Sequence, residues 1–162
     1  MEVMMLWTKL LRLNHTRSLI RGTNGPKYCN DSEWGQHATK IDQNGEWYNL
    51  GVYLIWVKDE MDKFVLVYIG EGQVQERLCC WEEHNLGFYN HDGRDRFVDD
   101  YPQEKPEYFC QYFFVEDSEI AEQHIMWLYE KELQKSTIYN KDWNPKKWDK
   151  TLIDLALPSH NL

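Results

Sequence analysis

The stretch GVYLIWVKDEMDKFVLVYIGEG, from Gly51 to Gly72, limits what the chain can fold into more than any other part of it. Two runs rich in β-branched and aromatic residues, WYNLGVYLIWV and FVLVYIG, flank the charged hexapeptide KDEMDK. That pattern predicts two strands joined by a turn. Both runs are apolar on both faces, as central strands covered on two sides are. With the turn centred between Glu60 and Met61, opposed residues have numbers that add to 121, so Tyr53 is expected directly across from Tyr68. Opposed side chains in an antiparallel pair share a face, with Cβ atoms about 4.5–5.5 Å apart. The register thus predicts two phenols side by side, and a one-residue slip would undo the pairing. The plain alternative is an aromatic cross-strand pair that only stabilises the sheet.

The rest of the chain allows one domain with a proper core. It has 162 residues, 42% apolar and 28% charged, with eight Trp and ten Tyr, a globular composition unusually rich in aromatics. No apolar run reaches the twenty or so residues that cross a bilayer. The start, MEVMMLWTKLL, lacks the basic region and small-residue cleavage site of a signal peptide. A soluble, cytoplasmic protein with no membrane partner is expected. Cys29, Cys79, Cys80 and Cys110 form no CxxC pair and read as small hydrophobes in a reducing compartment. The six histidines show no HxxxH or HExxH spacing, which leaves a zinc hydrolase little support.

Charge is uneven along the chain. The net −9 taken alone argues against a nucleic-acid binder. Residues 1–27, however, carry Lys9, Arg12, Arg17, Arg21 and Lys27 against Glu2 alone, so this arm is +4 and the remainder −13. A basic arm on an acidic body places positive charge where a phosphate backbone can lie. An ordinary solvated helix face is the competing explanation.

Leucine spacing over residues 6–20 predicts a helix stopped by Gly22, followed by a long loop over 23–46. After the hairpin, Val74, Leu78 and Trp81 recur at helical spacing from Gln73 to about His84. Residues 85–107 are polar, broken by glycine and proline, and read as a loop. YFCQYFFV, Tyr108 to Val115, is a third strand. Asp117 or Ser118 caps a helix running to about Gln134, with Glu119 and Glu122 near its positive end. The order β-β-α-β-α predicts an α/β (α+β) domain: a three-stranded antiparallel sheet flanked by helices. The organisation expected is a basic helical arm and loop over 1–46, the main domain over 47–144, and a tail over 145–162 packed on it.

Arg77 sits beside the apolar helix face of Val74, Leu78 and Trp81, where a guanidinium needs a partner and a phosphate is a natural bidentate guest. Gly51, Gly70 and Gly72 permit close backbone approach. Taken together, Gly51-Val52-Tyr53, Tyr68-Ile69-Gly70 and the segment GEGQVQERL resemble a GIY-YIG endonuclease over residues 47–144. The two triplets followed by the arginine carry the likeness, and neither triplet would alone. The resemblance implies a small antiparallel sheet flanked by helices, and hydrolysis of a DNA phosphodiester with one divalent ion, Mg²⁺ or Mn²⁺.

By position, the resemblance gives Tyr53 contact with the attacking water, Tyr68 support of that water or the phosphate, and Arg77 stabilisation of transition-state charge. A phenol, with a pKa near 10, needs a nearby cation to act as a base near neutrality. SEIAEQHIMWLYEKEL looks like the family's helix with the metal-binding glutamate, taken as Glu122 with Glu130 as the alternative. Similar proteins carry an asparagine after this helix, and Tyr139-Asn140 and Trp143-Asn144 both offer one, Asn144 being preferred for its tryptophan. Trp81 stands where similar proteins have histidine or tyrosine, and His84 is a functional replacement or a surface residue. Lys58 and Lys63 are candidate phosphate contacts or a solvated turn. The function expected is a restriction-type or phage-type DNA endonuclease, a homodimer if cleavage is double-stranded. The alternative, from the acidic charge, is a non-cleaving DNA- or protein-binding or inhibitory protein on the same scaffold.

Overall fold

A computed structural model describes residues 7–13, 50–74, 77–78, 81, 92–101, 106–148 and 157–158. Strands β1 (Leu11–Leu13), β2 (Leu50–Lys58), β3 (Phe64–Gln73) and β4 (Tyr108–Phe114) form one antiparallel sheet in the order β1-β4-β2-β3. Two helices accompany it among the described residues, α1 (Asp92–Asp100) and α2 (Ser118–Leu133), while Val74, Arg77, Leu78 and Trp81 are also helical positions. None of these helices is long and apolar enough to cross a membrane.

Both faces of the sheet are covered, which is why β2 carries no charge before Lys58 and is buried from Gly51 to Val57. On one face Tyr53, Ile55, Val57, Tyr108, Cys110 and Tyr112 pack with Leu78, Trp81, Phe97 and Tyr139. On the other, Val52, Leu54, Trp56, Leu66 and Ile69 pack with Ala121, Ile125, Met126 and Tyr129 of α2. α2 ends where Gln134 turns left-handed at φ 54°.

Three expectations are corrected. Among the described residues the sheet has four strands, not three, because part of the expected N-terminal helix is β1. Leu11 and Leu13 are buried and Arg12 is exposed. Residues two apart point the same way only in a strand, and β1 pairs with β4, Leu11 opposite Cys110. The basic residues Arg17, Arg21 and Lys27, the cysteines 29, 79 and 80, His84, and the tail over 149–156 and 159–162 lie outside the described residues. Within the expected 85–107 loop stands α1. Six of its nine residues are charged, yet it buries Gly93, Arg94 and Phe97.

The third correction is the hairpin register. The turn holds five residues, Asp59 to Lys63, with Asp59 Oδ1 accepting from the amides of Met61 (2.8 Å) and Lys63 (2.9 Å). Asp62 takes the left-handed conformation, φ 60°. Lys58 therefore pairs with Phe64. Further along, Ile55 pairs with Tyr68 but Trp56 with Leu66, so Val67 is an extra residue, a β-bulge. The odd turn and the bulge displace the register by two in all. Tyr53 faces Gly70, not Tyr68.

Candidate functional site

A two-residue displacement keeps every side chain on its face, so Tyr53 and Tyr68 become diagonal neighbours on the same side. Their ring centroids are 5.9 Å apart, and a hydrogen bond from Tyr53 favours the anionic form of Tyr68. Gly70 makes this possible. A Cβ there would fall inside the ring of Tyr53, which lies across the strand at that point. Tyr53 is only 1% exposed, while Tyr68 is half-buried. Of the two phenols, Tyr68 has the access to solvent.

Three charges act on Tyr68. Burial, and after it the carboxylate of Glu122, push its pKa up to about 12, while the Tyr53 hydrogen bond and the guanidiniums of Arg77 and Arg96 oppose that rise. Arg77 is exposed and its Nε lies over Gly72, 3.1 Å from where a Cβ would be. Gly72 has φ +122°, a conformation glycine adopts freely, and it pairs with Gly51 across the hairpin.

Glu122 projects from the first half of α2, half-buried, while Tyr68 belongs to the opposite face of the sheet. Among the described residues β3 is the outer strand, so the two faces meet at its outer edge. Burial first, then the carboxylates of Glu71 and Glu119, raise the Glu122 pKa to about 8, with Arg77 opposing. Glu71 follows the second triplet and accepts a 2.6 Å hydrogen bond from the hydroxyl of Ser118 at the start of α2. Asp117, at the N-cap position, makes no side-chain cap. Glu71 was missed in the sequence. The signal was its place next to Gly70, two residues along a strand from Ile69 on the α2 face.

Glu130, the alternative carboxylate, is exposed two helical turns further on and accepts from Trp143 Nε1 at 3.0 Å. Trp81 is a buried wall, its ring 5.1 Å from that of Tyr68, its carbonyl accepting from the Tyr108 hydroxyl at 2.9 Å. Asn140 and not Asn144 reaches β3: it accepts from the Ile69 amide at 2.9 Å and donates to the Ile69 carbonyl at 2.8 Å. Asn144 is exposed. The lysines and Arg12 are not gathered here. Lys58 pairs with Asp62 at 3.5 Å in the turn, where Lys63 is exposed. Lys9 is exposed, and Arg12 of β1, at the other edge of the sheet, pairs with Glu107 at 3.4 Å. Arg96, from a segment the sequence presented as a loop, does belong to the surroundings of Tyr68.

The fold and site define a mixed α/β protein whose outer strand assembles two coupled phenols, a guanidinium and acidic side chains. Comparison with protein-family models, curated proteins and solved structures finds no significant match.

Proposed function

We propose that this chain is a divalent-metal-dependent DNA endonuclease of GIY-YIG type, hydrolysing phosphodiester bonds. The observation that supports it most is the convergence of Tyr68, Arg77 and Glu122, residues from a strand, a following helix and a distant helix, on one strand edge. A sheet needs no such meeting of phenol, guanidinium and carboxylate for its stability.

Hard oxygen donors suit Mg²⁺ or Mn²⁺. The Glu122 carboxyl already experiences repulsion from Glu71 and Glu119, which a cation relieves. Among the described residues no group of three His, Cys, Asp or Glu side chains is placed to hold a metal ion by itself. Mg²⁺ commonly takes one or two carboxylates and keeps water and substrate oxygens for the remainder, so Glu122 and Glu71 fit as its protein ligands. When bound, the ion supplies charge neutralisation at the phosphate and lowers the pKa of water. Tyr68, with solvent access and the Tyr53 hydrogen bond, orients the attacking water, and it takes that water's proton only as the phenolate, the form that Arg77, Arg96 and a bound cation favour against burial and Glu122. Tyr53 acts through Tyr68, which differs from the direct water contact implied by the family pattern. Arg77 donates to the phosphate as negative charge builds on it.

A plasmid and oligonucleotide cleavage assay with Mg²⁺ or Mn²⁺ tests this reading. The parent is expected to cut, with Tyr68→Phe, Arg77→Ala and Glu122→Gln each losing at least about a hundredfold in rate. A parent that cuts while all three variants cut equally well would refute the site. The net charge of −9 favours a second reading, a non-cleaving protein that binds DNA or a protein partner, and failure of the parent to cut any substrate would support it.

A further inference from the structure

Tyr68 is held from outside the hairpin by α1 and by the chain just after α2. Gly93 of α1 is pressed on the tyrosine: a Cβ at Gly93 would come within 2.5 Å of Tyr68 Cε2 and 2.8 Å of Cδ2. One turn further, Arg96 donates through Nη2 to the carbonyl of Tyr139. Tyr139 in turn donates its amide to the carbonyl of Val67 at 3.0 Å, and Asn140 closes on both backbone groups of Ile69. Residues 139 and 140 therefore occupy the outward backbone groups of β3 on either side of Tyr68. Arg96 fastens this segment, through its backbone, to the helix touching the ring, while Asp100 at the end of the same helix accepts from the Tyr139 hydroxyl at 2.9 Å.

We propose that Arg96 is a positioning residue for Tyr68, tying α1 to the Tyr139–Asn140 segment so that the outer edge of β3 holds the phenol in one place. A guanidinium suits this task because its donors are fixed in a planar fork. Its charge also lies close enough to favour the phenolate of Tyr68. The catalytic part of this inference rests on the nuclease reading, while the structural part stands without it.

Amide hydrogen exchange on the whole chain provides the test. Arg96→Met keeps the aliphatic stem and removes every donor. Loss of a charge-assisted hydrogen bond, typically about 1.5–3 kcal/mol, corresponds to about 10–100-fold faster opening. Exchange at the Ile69 amide is expected to rise by that factor, while Leu54 in the central strand β2 changes far less, since global destabilisation alone would speed both. Arg96→Lys, which retains a charged donor, is expected to recover part of the protection and also serves if Arg96→Met fails to fold. With DNA as substrate, kcat falls about tenfold or more for Arg96→Met and KM stays within about twofold. Equal acceleration at Ile69 and Leu54, or no change at Ile69, overturns the proposal. A parent that cuts no DNA overturns the nuclease reading and leaves the exchange test in force.

Discussion

Replacing Glu122 with glutamine changes how stability depends on pH, and the size of the effect follows from the site. In the unfolded chain the carboxyl titrates at its ordinary 4.5, but in the fold burial and its two acidic neighbours raise it to about 8. A raised folded-state pKa means the protonated form is the one the fold accommodates. Its contribution is fully present below pH 4.5, declines above that, and is lost once the pH passes about 8. The gap between the two values, at about 1.36 kcal/mol per pH unit, limits the loss to about 5 kcal/mol, and partial solvent access brings the expected figure to about 2–4 kcal/mol. The variant's amide cannot ionise, so without divalent ions Glu122→Gln should match the parent near pH 4.5 and exceed it by about 2–4 kcal/mol at about pH 9. Urea titration followed by tryptophan fluorescence at several pH values measures the difference, and groups common to both proteins cancel. Mg²⁺ at about pH 8 should narrow the gap by stabilising the parent's carboxylate, and leave the variant nearly unchanged. Parallel stability curves from about pH 5 to 9 would refute a buried, repelled Glu122. An equal Mg²⁺ response in both proteins would refute its role in metal binding.

Other perturbations read other parts of the site. Tyr53→Phe keeps the ring across Gly70 and removes the hydroxyl that hydrogen-bonds Tyr68; stability should change by about 1 kcal/mol, and cleavage should fall at least about tenfold in a plasmid assay. Gly70→Ala forces a methyl group into the Tyr53 ring, an overpacking worth about 1–3 kcal/mol in urea unfolding. Asn140→Ala strips both outward backbone groups of Ile69 of their partner, at about 1–3 kcal/mol, whereas Asn144→Ala, at an exposed position, should stay within about 0.5 kcal/mol by the same measurement. Glu130→Ala should leave Mg²⁺ affinity by calorimetry unchanged, in contrast to Glu122→Gln.

The hairpin was legible because β-branched and aromatic residues fill it and charged ones mark its turn. Its register was not, since neither the left-handed Asp62 nor the bulge at Val67 follows from apolar pattern. The two tyrosines share a face all the same, because the errors from turn and bulge added to an even number. β1 was misread because leucines at 6, 10 and 13 fit a helix, while the decisive signal was the short Leu11-Arg12-Leu13 alternation. α1 escaped notice because periodicity weighs apolar residues, and its inward face consists of Gly93, Arg94 and Phe97. Arg96 was therefore invisible as a site residue. The helix that carries Glu122 was legible. The elevated pKa of Glu122 was not, because burial in the fold and Glu71 on another strand both raise it.

The site's location also answers a problem every open sheet has. An outer strand presents unpaired amides and carbonyls that can recruit another chain. In β3 the outward groups of Val67 and Ile69 are taken by Tyr139 and Asn140. Beyond Gly70, the strand instead carries Glu71, whose charge discourages pairing, and Gly72, whose φ of +122° breaks the extended backbone. The stretch held by Tyr139 and Asn140 fixes Tyr68, and the stretch beyond Gly70 leads toward Glu122 and Arg77. Within the described residues this edge is thus occupied on either side of Tyr68, and on the nuclease reading the stretch beyond Gly70 is where a phosphate would approach. A fully free edge would leave Tyr68 supported from the hairpin side alone.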